Sequence, residues 1–176
     1  MDYSEKTLKE ERVFNGKVIG VVVQDVEVFN GKVAKREIVR HPGGVAVLAL
    51  TESNKILFVE QYRKAIDKHL LELPAGKLEK GEDPKACGIR ELEEETGYKA
   101  EKFTYLGKIV SSPGFCDEYI YLYKAEKLYK GTIGGDEDEF IDIKEFSIEE
   151  VKEKIKSGEI IDGKTLAALL HYFLDI

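Results

Sequence analysis

The sequence predicts an α+β fold: a mixed β-sheet flanked by helices, preceded by an N-terminal β-hairpin. Three observations predict it. Two Val- and Ile-rich runs, 17–29 and 32–40, flank Asn30-Gly31, the favoured two-residue hairpin turn. The run GGVAVLAL at 43–50 is apolar almost throughout, as a strand covered on both faces would be. Helix signals stand at 83–97, 147–157 and 163–174, with further strand patterns between the first and the second. A chain of 176 residues with 43% hydrophobic content suffices for one compact core.

Taken in order, residues 1–16 are polar and loosely patterned, a candidate arm or first strand. With the hairpin they form a segment, 1–40, that precedes a main domain of 41–176. The strands 43–50 and 55–63 read as a second hairpin, turning at Glu52-Ser53-Asn54. The stretch HLLELPAGKLEKG (69–81) is a short strand entering a Pro- and Gly-punctuated loop. The next helix starts at Asp83-Pro84, an N-cap followed by a proline whose missing N–H costs little there. It ends at Gly97, where a left-handed residue is needed. Strands at 102–112 and 117–128 are joined through Pro113-Gly114-Phe115-Cys116. A glycine-rich acidic loop (130–138) leads to a strand at 139–146. Ser147 and Glu150 form a capping box, and the last helix has an apolar face of Leu166, Leu169, Leu170 and Phe173.

Charge and composition exclude several classes. A net charge of −7 argues against general nucleic-acid or anionic-membrane binding, both of which need a basic face. No apolar run approaches the roughly 20 residues that span a bilayer, and the charged start shows no signal peptide. Cys87 and Cys116 lack CxxC spacing or a neighbouring histidine, which suits reduced, small hydrophobic residues in a cytoplasmic protein. His41, His69 and His171 are scattered and read as surface or structural residues.

The chemistry concentrates in 76–98, GKLEKGEDPKACGIRELEEETGY. At about 100° per residue, Glu91, Glu94 and Glu95 share an arc roughly 100° wide, with Ala86, Ile89 and Leu92 nearly opposite, toward a core. Like charges at these spacings repel by a few tenths of a kcal/mol per pair, roughly. A hard divalent cation reverses that penalty, because it prefers carboxylate oxygens. An acidic helix face alone is ordinarily just solvated. Here the constellation is larger: Gly76, Glu82, Arg90-Glu91-Leu92, Glu94-Glu95 and Gly97-Tyr98 fit GX5EX7REUXEEXGU, with U apolar. This resembles the Nudix box at every fixed position, with Tyr98 standing where that family usually has an aliphatic residue.

The resemblance implies an α/β/α sandwich and Mg²⁺ (or Mn²⁺) held by Glu91 and Glu95, with Glu94 auxiliary and the Ala75 carbonyl adding a ligand. Glu82 and Arg90 look structural, Arg90 orienting the carboxylates. Glu137 and Glu139, in GGDEDEF, are similar to the late acidic loop of the ADP-ribose pyrophosphatase branch. By position, Glu137 would be the catalytic base and Glu139 an extra metal ligand. Pro113 matches a proline that marks that branch, and Arg36 and Arg63 match its substrate-binding arginines. Glu118 would order water or substrate, and Phe115 would stack on adenine. The implied function is hydrolysis of ADP-ribose to AMP and ribose 5-phosphate. The resemblance also implies a homodimer in which the N-terminal hairpin crosses to a partner subunit and carries Arg36. Other nucleoside diphosphate sugars or dinucleoside polyphosphates are alternative substrates. A non-catalytic ADP-ribose sensor is the alternative of another class.

Overall fold

The computed structural model describes residues 2–132 and 141–174. They fall into two compact units, Met1–Gly43 with Val110–Tyr119, and Gly44–Ile109 with Ile120–Ile176.

In the first unit the N-terminal hairpin gains a third strand. Strands β1 (Lys6–Asn15), β2 (Gly20–Glu27) and β3 (Val33–Arg40) form an antiparallel sheet in that order. All ten residues of β1 are exposed, so its Lys- and Glu-rich composition carries no alternation to announce a strand. The last β2–β3 pair is Glu27 with Val33, so the connection takes residues 28–32 rather than two. Gly31, at φ 77°, closes it by donating its N–H to Val28 O at 2.8 Å. Residues 110–119 lie along β3, with Val39 N donating to Phe115 O at 2.7 Å and Asp117 N to Val39 O at 3.1 Å.

The second unit is built around β4 (Gly44–Ala49), every residue of which is buried. It is parallel to β9 (Tyr119–Lys130) and antiparallel to β7 (Ala75–Lys77), and β8 (Tyr98–Val110) completes a mixed sheet in the order β7-β4-β9-β8. The period-2 alternation of a strand assigns the two faces. Ala46 and Leu48, with Ile120 and Leu122 of β9, pack with Val151 of α2 (Ile148–Ser157) and Ala168 and Leu169 of α3 (Gly163–Leu174). Val45, Val47 and Ala49 turn the other way, toward Cys87 and Leu92 of α1 (Pro84–Thr96). Helices therefore cover both faces of the central strands, the layered arrangement expected.

The second hairpin does not form. After Leu50 the chain makes a tight turn, Thr51 N to Lys55 O at 2.9 Å with Asn54 at φ 57°. It then leaves the mixed sheet. Strand β5 (Ile56–Arg63) instead pairs antiparallel with β6 (Lys68–Glu72) and β10 (Asp142–Phe146) in a separate sheet. Only a single bridge, Leu50 with Ile56, joins the two strands that were expected to pair. Both strands are so apolar that their pattern fixes burial without fixing a partner.

The helix boundaries follow the local chemistry. Asp83 accepts from Lys85 N and Ala86 N, Gly97 takes φ 69°, and Ser147 and Glu150 complete the capping box. Two expected faces are corrected. On α1, Leu92 is buried, but Ile89 is 38% exposed and Ala86 lies open; Cys87 and Gly88 take their place. On α3, Leu170 is 55% exposed while Thr165 and Ala168 are buried. In each case the buried arc is rotated by about one residue from the hydrophobic one, because small side chains permit the closest helix–sheet approach.

Candidate active site

The site grows from the short strand β7 and the helix that follows it. Gly76 has no side chain, and the Glu91 carboxylate lies over that gap: a Cβ on Gly76 would come within 1.8 Å of Glu91 Cδ. One residue earlier, Ala75 N donates to Glu95 Oε2 at 2.9 Å, which holds a largely buried carboxylate against the strand. Ala75 itself is fixed by pairing with Ala46 of β4. Glu91, Glu94 and Glu95 are thereby gathered on the α1 face beside Ala75 and Gly76.

Arg90 organises the outer part of this face. Its Nη1 lies 2.8 Å from both Glu91 Oε1 and Glu94 Oε2, while Nε and Nη2 fork onto Glu82 at 3.0 and 3.1 Å. Those hydrogen bonds hold the Glu82 carboxyl down at about 2, against the opposing effect of burial and with help from Glu79 N–H. The guanidinium is correspondingly raised in pKa, first by Glu82 and then by its other acidic neighbours. One cation thus bonds three carboxylates, those of Glu82, Glu91 and Glu94.

Arg63, at the end of β5, is held bidentately by Glu72, Nε to Oε1 at 2.6 Å and Nη2 to Oε2 at 2.7 Å. Glu72 is only 1% exposed, and Lys164 of α3 also bonds to its Oε2. Burial alone would push this carboxyl up, but the two cations outweigh it and keep it below the usual range. Sequence reasoning missed Glu72 and Lys164. The available signal was a lone acid in the otherwise apolar run HLLELP. It also passed over Glu93, which is 3% exposed, bonds Thr132 N at 2.9 Å and pairs with Lys99 at 3.0 Å.

Three expected residues lie in the first unit, each in its own setting. Arg36 is paired with Glu5, Nε to Oε2 at 2.9 Å and Nη2 to Oε1 at 2.5 Å. Glu118 is 3.1 Å from His41 Nδ1, and Phe115 is 58% exposed. Glu137 and Glu139 lie outside the described residues.

Glu91, Glu94 and Glu95 offer only carboxylate oxygens, the donors that hard divalent ions take, and Gly76 leaves the gap that Glu91 occupies. These residues fit such an ion. Among the described residues no three acidic, histidine or cysteine side chains are already drawn into a coordinating cluster. Arg90 holds two of the carboxylates.

A family model described as NUDIX domain matches residues 40–169. The chain belongs to the Nudix hydrolase family. Nudix hydrolases generally use divalent metal ions, in keeping with the donors on α1. This Nudix chain is 53% identical over 169 residues to a methanol dehydrogenase activator of Bacillus methanolicus, covering 95% of this chain and 91% of that protein. It is 48% identical over 167 residues to an ADP-ribose pyrophosphatase of Bacillus subtilis (strain 168), covering 94% and 90%. A crystal structure of an ADP compounds hydrolase superimposes with a TM-score of 0.83 over 96% of this chain and 91% of that one. At 21% sequence identity it shows that the Nudix fold is shared. No helix among the described residues is long and apolar enough to cross a membrane.

Proposed function

We propose that the chain hydrolyses the diphosphate bond of ADP-ribose, giving AMP and ribose 5-phosphate in a Mg²⁺-dependent reaction. The observation that carries this reading is the Glu91 carboxylate seated over Gly76 beside Glu95, itself tied to Ala75 N–H. The substrate follows from the 48% identity to a protein named ADP-ribose pyrophosphatase.

A diphosphate resists water because its own negative charge repels the nucleophile. Glu91, Glu95 and the Ala75 carbonyl, with Glu94 and Glu139 as further ligands, would hold Mg²⁺, with Mn²⁺ as a substitute. The ion supplies charge neutralisation and a more acidic water. A water oxygen attacks one phosphorus, the bridging P–O bond breaks, and each product leaves as a phosphate monoester. Glu137 takes the proton released by that water. Arg63 faces the diphosphate with a planar cation suited to its oxygens. Arg36, Glu118 and Phe115 are further substrate-binding candidates, Phe115 by stacking on adenine.

The same reading makes the chain a cytoplasmic homodimer in which residues 1–40 reach the partner subunit. Its support is the apolar surface of the first unit, where Phe29 is 71% and Val33 62% exposed, together with two unbridged cysteines. Molar mass by light scattering would return that of one chain if this part is wrong.

An assay for AMP and ribose 5-phosphate from ADP-ribose, GDP-mannose and diadenosine polyphosphates, with and without Mg²⁺, tests the reaction. Preference for another diphosphate keeps the metal chemistry and removes the substrate. Tight ADP-ribose binding without product would make the chain a sensor. Glu95→Gln is expected to lower turnover by about two orders of magnitude or more with the fold retained. The 53% identity to a methanol dehydrogenase activator favours a second reading, in which the chain raises the activity of an alcohol dehydrogenase. Adding the chain to such an enzyme and following its rate separates the two.

A further inference from the structure

Arg63 closes β5 with a side chain that is 40% exposed, and an arginine on a strand end normally has wide rotamer freedom. Here that freedom is removed from the inner side. The Glu72 carboxylate takes both Nε and Nη2 in a parallel fork at 2.6 and 2.7 Å, which fixes the plane of the guanidinium as well as its position. Nη1 is not engaged by that fork, and the Glu95 carboxylate acts on the guanidinium through space.

Glu72 is in turn fixed from the opposite side. Lys164 bonds to its Oε2 and lies 3.1 Å from Asp162. Asp162 accepts from Thr165 N at 3.0 Å and Thr165 Oγ1 at 2.6 Å, and Thr165 Oγ1 accepts from Leu73 N at 2.9 Å. The start of α3 is thus clamped to the Glu72–Leu73 step. Two residues further, Ala75 N holds the Glu95 carboxylate. Four consecutive residues, 72–75, grip the arginine at one end and a carboxylate of the α1 face at the other.

We propose that Glu72 is the positioning residue for Arg63, with Lys164 as its second counter-ion, setting the guanidinium for a diphosphate in register with the Glu95 carboxylate. The inference rests on the reading of Arg63 as a diphosphate contact. A mutual pair on the surface would need neither a carboxylate that is 1% exposed nor a second cation to share it. Splitting the carboxylate between two cations leaves Arg63 less neutralised toward a substrate than a simple pair would.

The test is a double-mutant cycle, which isolates action through a partner from general damage. Binding of a methylene-bridged ADP-ribose analogue, which cannot be hydrolysed, is measured by calorimetry with Mg²⁺ present. The four proteins are wild type, Arg63→Met, Glu72→Asp and the double variant. Glu72→Asp keeps the charge but withdraws the fork by one methylene. It is expected to weaken binding about tenfold when Arg63 is present and to change it by less than about twofold when Arg63 is Met. Equal weakening in both backgrounds, or none in either, overturns the proposal, as does an Arg63→Met variant that binds like wild type. Should Glu72→Asp fail to fold, Lys164→Met serves in its place, with a loss of a few fold expected only where Arg63 is present; additivity there overturns the proposal equally. The product assay on the wild-type chain judges the substrate reading without any variant. AMP release together with an additive cycle removes the positioning role alone, and a wild type that does not bind the analogue removes both.

Discussion

Glu91 occupies the space in which a side chain on Gly76 would begin: an added Cβ would lie 1.8 Å from Glu91 Cδ and 1.9 Å from Oε1. The obstacle is the far end of a flexible side chain, so a methyl at Gly76 turns the carboxylate aside without prying the sheet apart. Gly76→Ala is therefore expected to keep the melting temperature within about 3 °C. Turnover of ADP-ribose is expected to fall about a hundredfold, the usual cost of a displacement of about 1 Å at a reacting centre. Melting curves and a Mg²⁺ titration of the rate, run on the same preparation, check both halves. Unaltered turnover would remove Glu91 from the metal platform.

Arg90 couples the box to acid stability. Its hydrogen bonds hold Glu82 at about 2 instead of 4.5. A carboxyl whose folded pKa is depressed contributes stability above its unfolded value and loses it as pH falls through the folded one. The contribution is complete above about pH 4.5 and disappears toward about pH 2. Arg90→Met is expected to melt below wild type at pH 7, with the gap narrowing steadily between pH 4.5 and 2. A gap that is constant with pH would mean that Arg90 contributes by packing alone.

The two cysteines differ in environment and should differ in reactivity. Burial pushes the Cys87 thiol up to about 12, with the Glu82 carboxylate adding to the effect. Cys87 is fully buried and Cys116 is partly exposed. Since the thiolate is the reactive form, a thiol reagent at pH 8 is expected to label Cys116 and leave Cys87 untouched until the chain is unfolded. Mass spectrometry of the labelled peptides gives the answer. Rapid labelling of Cys87 in the folded protein would contradict the close packing of α1 on β4.

Much of this architecture was legible because its signals are local. Each cap of α1 and α2 lies within four residues of the groups it bonds, and the box spacing maps directly onto one helix face and one glycine. Strand partnership was harder to read. Residues 43–50 and 55–63 look like a hairpin because nothing in their apolar patterns says that the chain turns from one sheet into another after Leu50. The strand Lys6–Asn15 reads in sequence as either an arm or a first strand for the converse reason: with both faces exposed it has no buried alternation. In the site, Glu91, Glu94 and Glu95 could be placed by helical periodicity. Glu72 could not, since its partners Arg63 and Lys164 come from other elements, and Lys164 is ninety-two residues away.

Gly88 shows where α1 depends on closeness rather than on hydrophobic bulk. A Cβ there would meet Phe103 Cζ at 3.0 Å, Cε1 at 3.2 Å and Val47 Cγ2 at 3.4 Å, so the helix backbone rides directly on the sheet. A single methyl sets two effects against each other, since alanine gains roughly 1 kcal/mol of helix propensity over glycine while Phe103 must give way. Valine removes the ambiguity. Its β-branch lowers the propensity gain and drives a second methyl toward Phe103 or Val47. Overpacking of this kind costs about 1–3 kcal/mol, which in a domain of this size lowers the melting temperature by about 2–12 °C. The strain has a functional consequence as well. Glu91, Glu94 and Glu95 ride on the same helix, and lifting α1 from β4 lengthens the Ala75 N–Glu95 contact now at 2.9 Å. Gly88→Val is therefore expected to raise the Mg²⁺ concentration needed for half-maximal turnover by several fold, roughly, even at temperatures where the variant is fully folded. A variant that loses stability but keeps its metal requirement would show that the helix tilts about the site end and leaves Glu95 in place.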